Sequence, residues 1–79
     1  MRIDKFLKVS RIIKRRAIAN EACDAGRVSI NERSVKASYE VKSGDVLEIR
    51  FGANTFKAEI LDVREHVSKG EASEMYKLL

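Results

Sequence analysis

The fold is decided by residues 1–31, which read MRIDKFLKVSRIIKRRAIANEACDAGRVSIN. In this stretch the apolar residues Ile3, Phe6 and Leu7 recur at spacings of three and four, which places them on one face of a short helix. Residues 10–13 break that rhythm with β-branched side chains and predict a turn. The chain therefore opens with a helix whose apolar face has to pack against a later element.

A second helix is predicted over about residues 15–25, where small and apolar side chains allow close packing. Gly26 follows at the position where helices commonly stop. After Gly26 the period of the apolar residues changes from 3.6 to 2, because Val28 and Ile30 alternate with polar residues. This pattern predicts a short, half-buried strand, and residues 31–33 (Asn-Glu-Arg) read as the turn that ends it.

The clearest strand follows in the second half of the chain, where Leu47, Ile49 and Phe51 share one face. Residues 52–54 (Gly-Ala-Asn) then reverse the chain into a further strand over residues 55–63, which predicts a hairpin. Helices first and antiparallel strands after indicate an α+β fold, with two N-terminal helices packed on one face of a small antiparallel sheet.

The last residues carry a weaker pattern. Ser68 followed by Glu71 has the spacing of a capping box, which is compatible with a short C-terminal helix. We therefore divide the chain into a domain of residues 1–67 and a tail of residues 68–79. The tail would carry one helical stripe made of Ala72, Met75, Tyr76 and Leu79.

Positive charge is concentrated at the start of the chain. The whole sequence has 16 Lys and Arg against 12 Asp and Glu, yet residues 1–16 carry a net charge of +6 and the remainder −2. Cations that displace counterions supply much of the affinity for nucleic acid, so this concentration suits a phosphate-binding face. A solvated lysine-rich helix explains the charge equally well. The seven cations are Arg2, Lys5, Lys8, Arg11, Lys14, Arg15 and Arg16.

Three of these cations, Lys14, Arg15 and Arg16, crowd the start of the second predicted helix. The helix dipole is already positive at that end, so each charge costs roughly a few tenths of a kcal/mol unless an anion binds there. This arrangement indicates a phosphate site.

Residues for other chemistries are scarce. The single cysteine, Cys23, has no partner for a disulfide, and the single histidine, His66, is predicted on the far side of the hairpin from it. The four glycines lack the spacing of a phosphate-binding loop, so we expect no cofactor. One cysteine cannot build a cysteine-rich zinc site, so we expect no metal. No apolar run approaches the roughly 20 residues that cross a bilayer. We predict a non-enzymatic binding protein of the cytoplasm, without membrane contact.

A longer pattern joins the charges to the turn glycines. It runs Arg2-x-Asp4…Leu7…Arg16-x-x-Ala19…Gly26-x-Val28-x-Ile30-Asn31…Val35…Gly44-Asp45, over roughly residues 1–50. This order resembles the S4 RNA-binding domain. The resemblance implies that Arg2 and Arg16 are the principal RNA contacts, and that Asp4 orients a basic neighbour. It implies supporting phosphate ligands at Lys5, Lys8, Arg11, Lys14 and Arg15.

Two residues depart from the family pattern. Cys23 takes a position that a branched aliphatic residue usually fills, which favours a core thiol over a reactive one. Glu32 stands where the family often has glycine after Asn31. We therefore expect a tight turn of another type at this position.

An S4 domain of this length is similar to the small ribosome-associated S4 proteins of bacteria. The resemblance implies binding to a large ribosomal subunit that still carries peptidyl-tRNA after a stalled ribosome splits, with contacts to rRNA and tRNA. The chain would act there as a monomer and assist a quality-control tailing factor that adds C-terminal alanine to the nascent chain.

Two alternatives stay open at this point. The first is a protein-interaction module that docks through Met75, Tyr76 and Leu79. The second is a detached RNA-targeting domain for an RNA-modifying enzyme.

Overall fold

Two short helices precede a five-stranded antiparallel sheet, as a computed structural model of residues 1–79 describes the protein. The sheet order is β2-β1-β3-β4-β5, and every neighbouring pair is antiparallel. This arrangement confirms the predicted α+β fold. The elements are α1 (Ile3–Val9), α2 (Arg16–Asp24), β1 (Val28–Ile30), β2 (Arg33–Ser34), β3 (Val46–Phe51), β4 (Asn54–Ile60), a 3-10 helix (Ala72–Met75) and β5 (Tyr76–Leu78).

The core lies between the helices and one face of the sheet. Alternation along β1 and β3 directs Val28, Ile30, Leu47 and Ile49 inward, where all four are buried. Ala19 of α2 is also fully buried, and such small side chains let the helix approach its neighbours closely. The largest fully buried side chains are Phe6, Ile3, Leu7, Leu47, Ile49, Ile60, Met75 and Val28.

The turn between β1 and β2 keeps the tight form despite its glutamate. Ile30 pairs with Arg33, so Asn31 and Glu32 form a two-residue loop, and their φ angles of 50° and 72° are both positive. Positive φ at both central residues is what a type I′ hairpin turn requires. The expectation of another turn type is therefore wrong. Asn31 tolerates the left-handed region, and its side chain is bonded to Asp45.

The C-terminal residues differ from the predicted helical stripe. Residues 72–75 form a single 3-10 turn, and Tyr76–Leu78 then continues as β5 along the edge of β4. An unpaired strand edge offers a row of N–H and C=O groups, and pairing with it satisfies the backbone of this segment. Only the short helical turn is confirmed here, and the division of the chain at residue 67 stays a prediction.

β4 ends at Ile60, earlier than the predicted strand that continued to residue 63. The backbone N–H of Leu61 donates to the carbonyl of Met75 at 2.8 Å, so the chain turns from the sheet toward the 3-10 helix at this point. No helix in this fold has the length and apolar character needed to span a bilayer.

Candidate nucleic-acid interface

One buried carboxylate brings the two predicted principal contacts together. Nη2 of Arg2 donates to Oδ2 of Asp4 at 3.2 Å, and Nη2 of Arg16 donates to Oδ1 at 3.4 Å. Asn20 donates to the same carboxylate at 3.3 Å from α2. The Asp4 side chain is 3% exposed, whereas those of Arg2 and Arg16 are 46% and 48% exposed. The prediction that Asp4 orients basic neighbours is consistent with this geometry.

The two guanidinium groups stay available to a ligand. Each guanidinium has five N–H donors, and each spends one of them on Asp4. Burial alone raises the pKa of Asp4, but hydrogen bonds from Asn20, Arg16 and the Lys5 backbone N–H outweigh it and hold the pKa below its ordinary value. Asp4 is therefore ionised at neutral pH, and the cluster of two arginines and one carboxylate carries a net charge of +1.

The start of α1 is held by the segment before β3. The N–H of Ile3 donates to the carbonyl of Tyr39 at 2.7 Å, and the N–H of Asp4 donates to that of Ala37 at 3.4 Å. Arg2 is extended at the N-cap of α1 and forms an isolated antiparallel bridge with Glu40. The backbone around Arg2 is thus held against residues 37–40, and the Arg2 side chain reaches Asp4.

The turn between the helices presents the next cations to solvent. The N–H of Ile13 donates to the carbonyl of Leu7 at 3.0 Å, and the Ile13 side chain is buried, as the predicted turn requires. Lys14 and Arg15 follow it and are exposed. No side chain caps α2, and no acid lies in its first turn. At the start of α2, Lys14 and Arg15 therefore have the unneutralised charge that the sequence indicated, whereas Arg16 is paired with Asp4.

A second group of cations lines an open groove of about 610 Å³, which we call the basic groove. One wall is formed by the end of α1 and the turn after it, and the other by residues 65–69. Arg11, on the first wall, has a φ of +62°, which is unusual for a residue other than glycine. The lining residues are Lys8, Val9, Arg11, Lys14, Glu65, His66, Val67 and Lys69.

Two cations of the predicted set lie outside both groups. Lys5 forms an ion pair with Glu65 across the edge of the basic groove, so its charge is partly neutralised. Arg15 has no carboxylate within ion-pair distance and is exposed at the start of α2. The structure therefore places the seven cations at the N-cap of α1, on α1, in the following turn and at the first residue of α2, and it pairs three of them with acids.

His66 and Lys69 were missed by the sequence reasoning. His66 was considered only as a possible partner of Cys23, and Lys69 was not considered. No spacing connects them to the N-terminal cations, because they reach the basic groove only through the return of the chain after β4. Their place depends on tertiary structure alone.

The single cysteine lies in the core, away from the exposed cations. Burial, with further contributions from Asp4 and Asp24, raises the pKa of the Cys23 thiol to about 11, so it is a protonated core side chain at neutral pH. No three His, Cys, Asp or Glu side chains come together as they would to hold a metal ion.

Residues 1–47 match the family model of the S4 domain. The chain belongs to the S4 domain family. It is 53% identical to the RQC P-site tRNA stabilizing factor of Halalkalibacterium halodurans, over 99% of this chain and 89% of that protein. It is 49% identical to the RQC P-site tRNA stabilizing factor of Bacillus subtilis, over 100% of this chain and 92% of that protein.

The fold is similar to a solved structure, the trimeric structure of Vibrio cholerae Heat Shock Protein 15. The superposition has a TM-score of 0.91 at 26% sequence identity and covers 100% of this chain and 81% of that one. The match confirms the S4-type fold over the whole chain, including the residues beyond the family model.

Proposed function

We propose that this chain is a non-enzymatic RNA-binding factor that acts on the large ribosomal subunit in ribosome-associated quality control. It binds rRNA and peptidyl-tRNA through the cations of α1, the following turn and the start of α2. It acts in the cytoplasm as a monomer, and it supports a tailing factor that adds C-terminal alanine to stalled nascent chains. The relatives named RQC P-site tRNA stabilizing factor support the quality-control role.

The observation that carries the RNA-binding part is the pair of half-exposed arginines held on one buried carboxylate. Ordering a long charged side chain costs entropy on binding, and Asp4 reduces that cost by orienting Arg2 and Arg16 before a ligand arrives. Guanidinium groups are suited to phosphate, since their planar donors can contact two oxygens at once. A face that served only solubility would not need this support.

The first test measures the affinity for a short RNA hairpin as a function of salt. If about six phosphates are contacted, log affinity falls against log salt with a slope near −5. The variant Arg16→Ala is expected to flatten this slope by about one, because one phosphate contact is lost. Lys57→Ala removes one charge from the sheet face opposite the helices and serves as the matched control, with no expected change.

Arg16→Ala has to keep its fold for this comparison, which circular dichroism checks. If a folded Arg16→Ala variant has the wild-type slope, Arg16 does not contact RNA phosphate. If Lys57→Ala flattens the slope equally, the binding is a general charge effect without a defined face.

The second test addresses the cellular role. Sedimentation of a cell lysate is expected to place the chain with free large subunits rather than with whole ribosomes. A stalled reporter in cells without the chain is expected to have shorter C-terminal alanine tails, measured by mass spectrometry. Unchanged tails would contradict the link to the tailing factor.

The protein-interaction alternative loses its basis in this fold. It needs an exposed stripe with Met75 and Tyr76, but Met75 is fully buried and Tyr76 belongs to β5. Of the three residues in that stripe, Met75, Tyr76 and Leu79, only Leu79 is exposed.

A further inference from the structure

We propose that the basic groove is a second sugar-phosphate site, in which Lys69 extends the RNA interface beyond the S4-matched residues. The family model ends at residue 47, whereas one wall of the groove is formed by residues 65–69. This inference rests on the proposed RNA binding of the helical face, and it adds a site and a contact residue to that function.

The charges of the groove are the first argument. Lys8, Arg11, Lys14 and Lys69 line it, and none of the four has a carboxylate within ion-pair distance. The single acid in the lining, Glu65, is already paired with Lys5. Four cations that face one cavity repel each other, so an anionic ligand would relieve the repulsion.

The second argument is that the wall formed by residues 65–69 is held in place although it has no regular secondary structure. Arg64 donates to Asp62 at 2.7 Å and lies 3.7 Å from both Glu71 and Glu74. The Lys5 pair with Glu65 ties the same segment to α1. Lys69 therefore stands opposite α1 before a ligand binds.

The lining chemistry selects sugar-phosphate over stacked bases. No Phe, Tyr or Trp side chain lines the groove, and these rings are the main platforms on which bases stack; His66 is the one aromatic ring in the lining. Its apolar part is limited to Val9 and Val67, which are half-buried. His66 can donate a hydrogen bond to a ribose hydroxyl or a phosphate oxygen in the groove.

The groove lies beside the pair Arg2 and Arg16, and this position favours RNA over an acidic protein as the occupant. Lys8 follows Asp4 by one helical turn, about 6 Å along α1 and on the same side. A nucleic-acid strand held by Arg2 and Arg16 can therefore continue into the groove without leaving the surface.

The experiment compares Lys69→Ala with Lys77→Ala, which removes an exposed lysine from β5 outside the groove. The probes are a short RNA hairpin and a polyglutamate peptide. Lys69→Ala is expected to flatten the salt slope for RNA by about 0.7 to 0.9, the amount for one phosphate contact. Lys77→Ala is expected to leave the slope unchanged.

A second variant is expected to strengthen RNA binding, whereas Lys69→Ala is expected to weaken it. Glu65→Gln removes the only acid from the groove and releases Lys5 from its ion pair. It is expected to raise the affinity for RNA at low salt and to steepen the slope. An affinity and a salt slope equal to those of wild type, with intact folding, would contradict the proposal.

The outcomes distinguish a failure of the groove proposal from a failure of the proposed RNA-binding function. If Arg16→Ala flattens the slope and Lys69→Ala does not, the groove proposal is wrong and the RNA-binding function stands. If neither variant changes the slope, both are wrong. If Lys69→Ala weakens binding of the polyglutamate peptide and leaves RNA binding unchanged, the occupant is an acidic protein and the proposal is overturned.

Discussion

Asp4 is the residue that positions both arginines of the proposed RNA-binding face. It is buried, ionised and bonded to donors from both helices. A buried carboxylate is unfavourable unless its oxygens are hydrogen-bonded, and here four donors reach it. The same bonds that make its burial tolerable also place the arginines.

The variant Asp4→Asn is expected to lower the free energy of unfolding by about 1–3 kcal/mol at neutral pH, because charge-assisted hydrogen bonds are lost. The difference from wild type depends on pH. Because the folded-state pKa of Asp4 is lowered, its stabilisation is present above the ordinary aspartate pKa of about 4 and is lost as pH falls through the folded-state value.

Urea denaturation at neutral and at acid pH measures this difference. The unfolding free energies of wild type and Asp4→Asn are expected to converge in acid. A difference that stays constant from neutral pH to the acid limit would show that the Asp4 charge does not contribute.

At the scale of the elements, the β1–β2 turn keeps a residue that its geometry disfavours. Glu32 has a φ of 72°, and the left-handed region costs an ordinary residue roughly 1–2 kcal/mol. Glu32→Gly is therefore expected to raise the free energy of unfolding by about 1 kcal/mol, since part of the gain is offset by the entropy of glycine in the unfolded chain.

Asn31→Gly is the matched control in the same turn. Asn31 donates to Asp45 at 3.2 Å and accepts from the Val46 N–H at 3.0 Å. Glycine at this position removes both bonds and is expected to destabilise the protein. If both glycine variants have the same effect on thermal unfolding, the strain assigned to Glu32 is wrong.

The 3-10 helix before the C-terminal strand buries two side chains, Ala72 and the much larger Met75. Met75 is fully buried, and its carbonyl accepts from Leu61. Met75→Ala is expected to lower the free energy of unfolding by about 2–5 kcal/mol through lost contacts and a residual cavity. Chemical denaturation measures the loss, with Lys77→Ala as the exposed control. A loss below about 0.5 kcal/mol would contradict the packing of Met75 in the core.

Local patterns in the sequence account for the elements that were predicted correctly. The spacing of Ile3, Phe6 and Leu7 identified α1, and the alternation of Leu47 with Ile49 identified β3. These patterns are reliable because each depends on one face of one element. The C-terminal strand could not be predicted in this way, since β5 is only three residues long and depends on the free edge of β4.

At the scale of the whole molecule, the charge is separated between the N-terminal helical face and the rest of the chain. Residues 1–16 carry a net +6, and the sheet face opposite the helices alternates between acids and bases, as Glu48, Lys57 and Glu59 illustrate. The N-terminal concentration was visible in the sequence. The contribution of Lys69 to the same side was not, because it depends on how the chain returns to α1 after β4.

The sharing of Asp4 has a consequence for any attempt to apportion affinity between Arg2 and Arg16. When one arginine is replaced, the carboxylate keeps one guanidinium besides Asn20 and the Lys5 N–H, so the remaining arginine is held differently from before. The two losses are therefore not independent. A double-mutant cycle on RNA binding is expected to give a coupling energy of about 0.5–3 kcal/mol between them, and strict additivity would mean that each arginine acts alone.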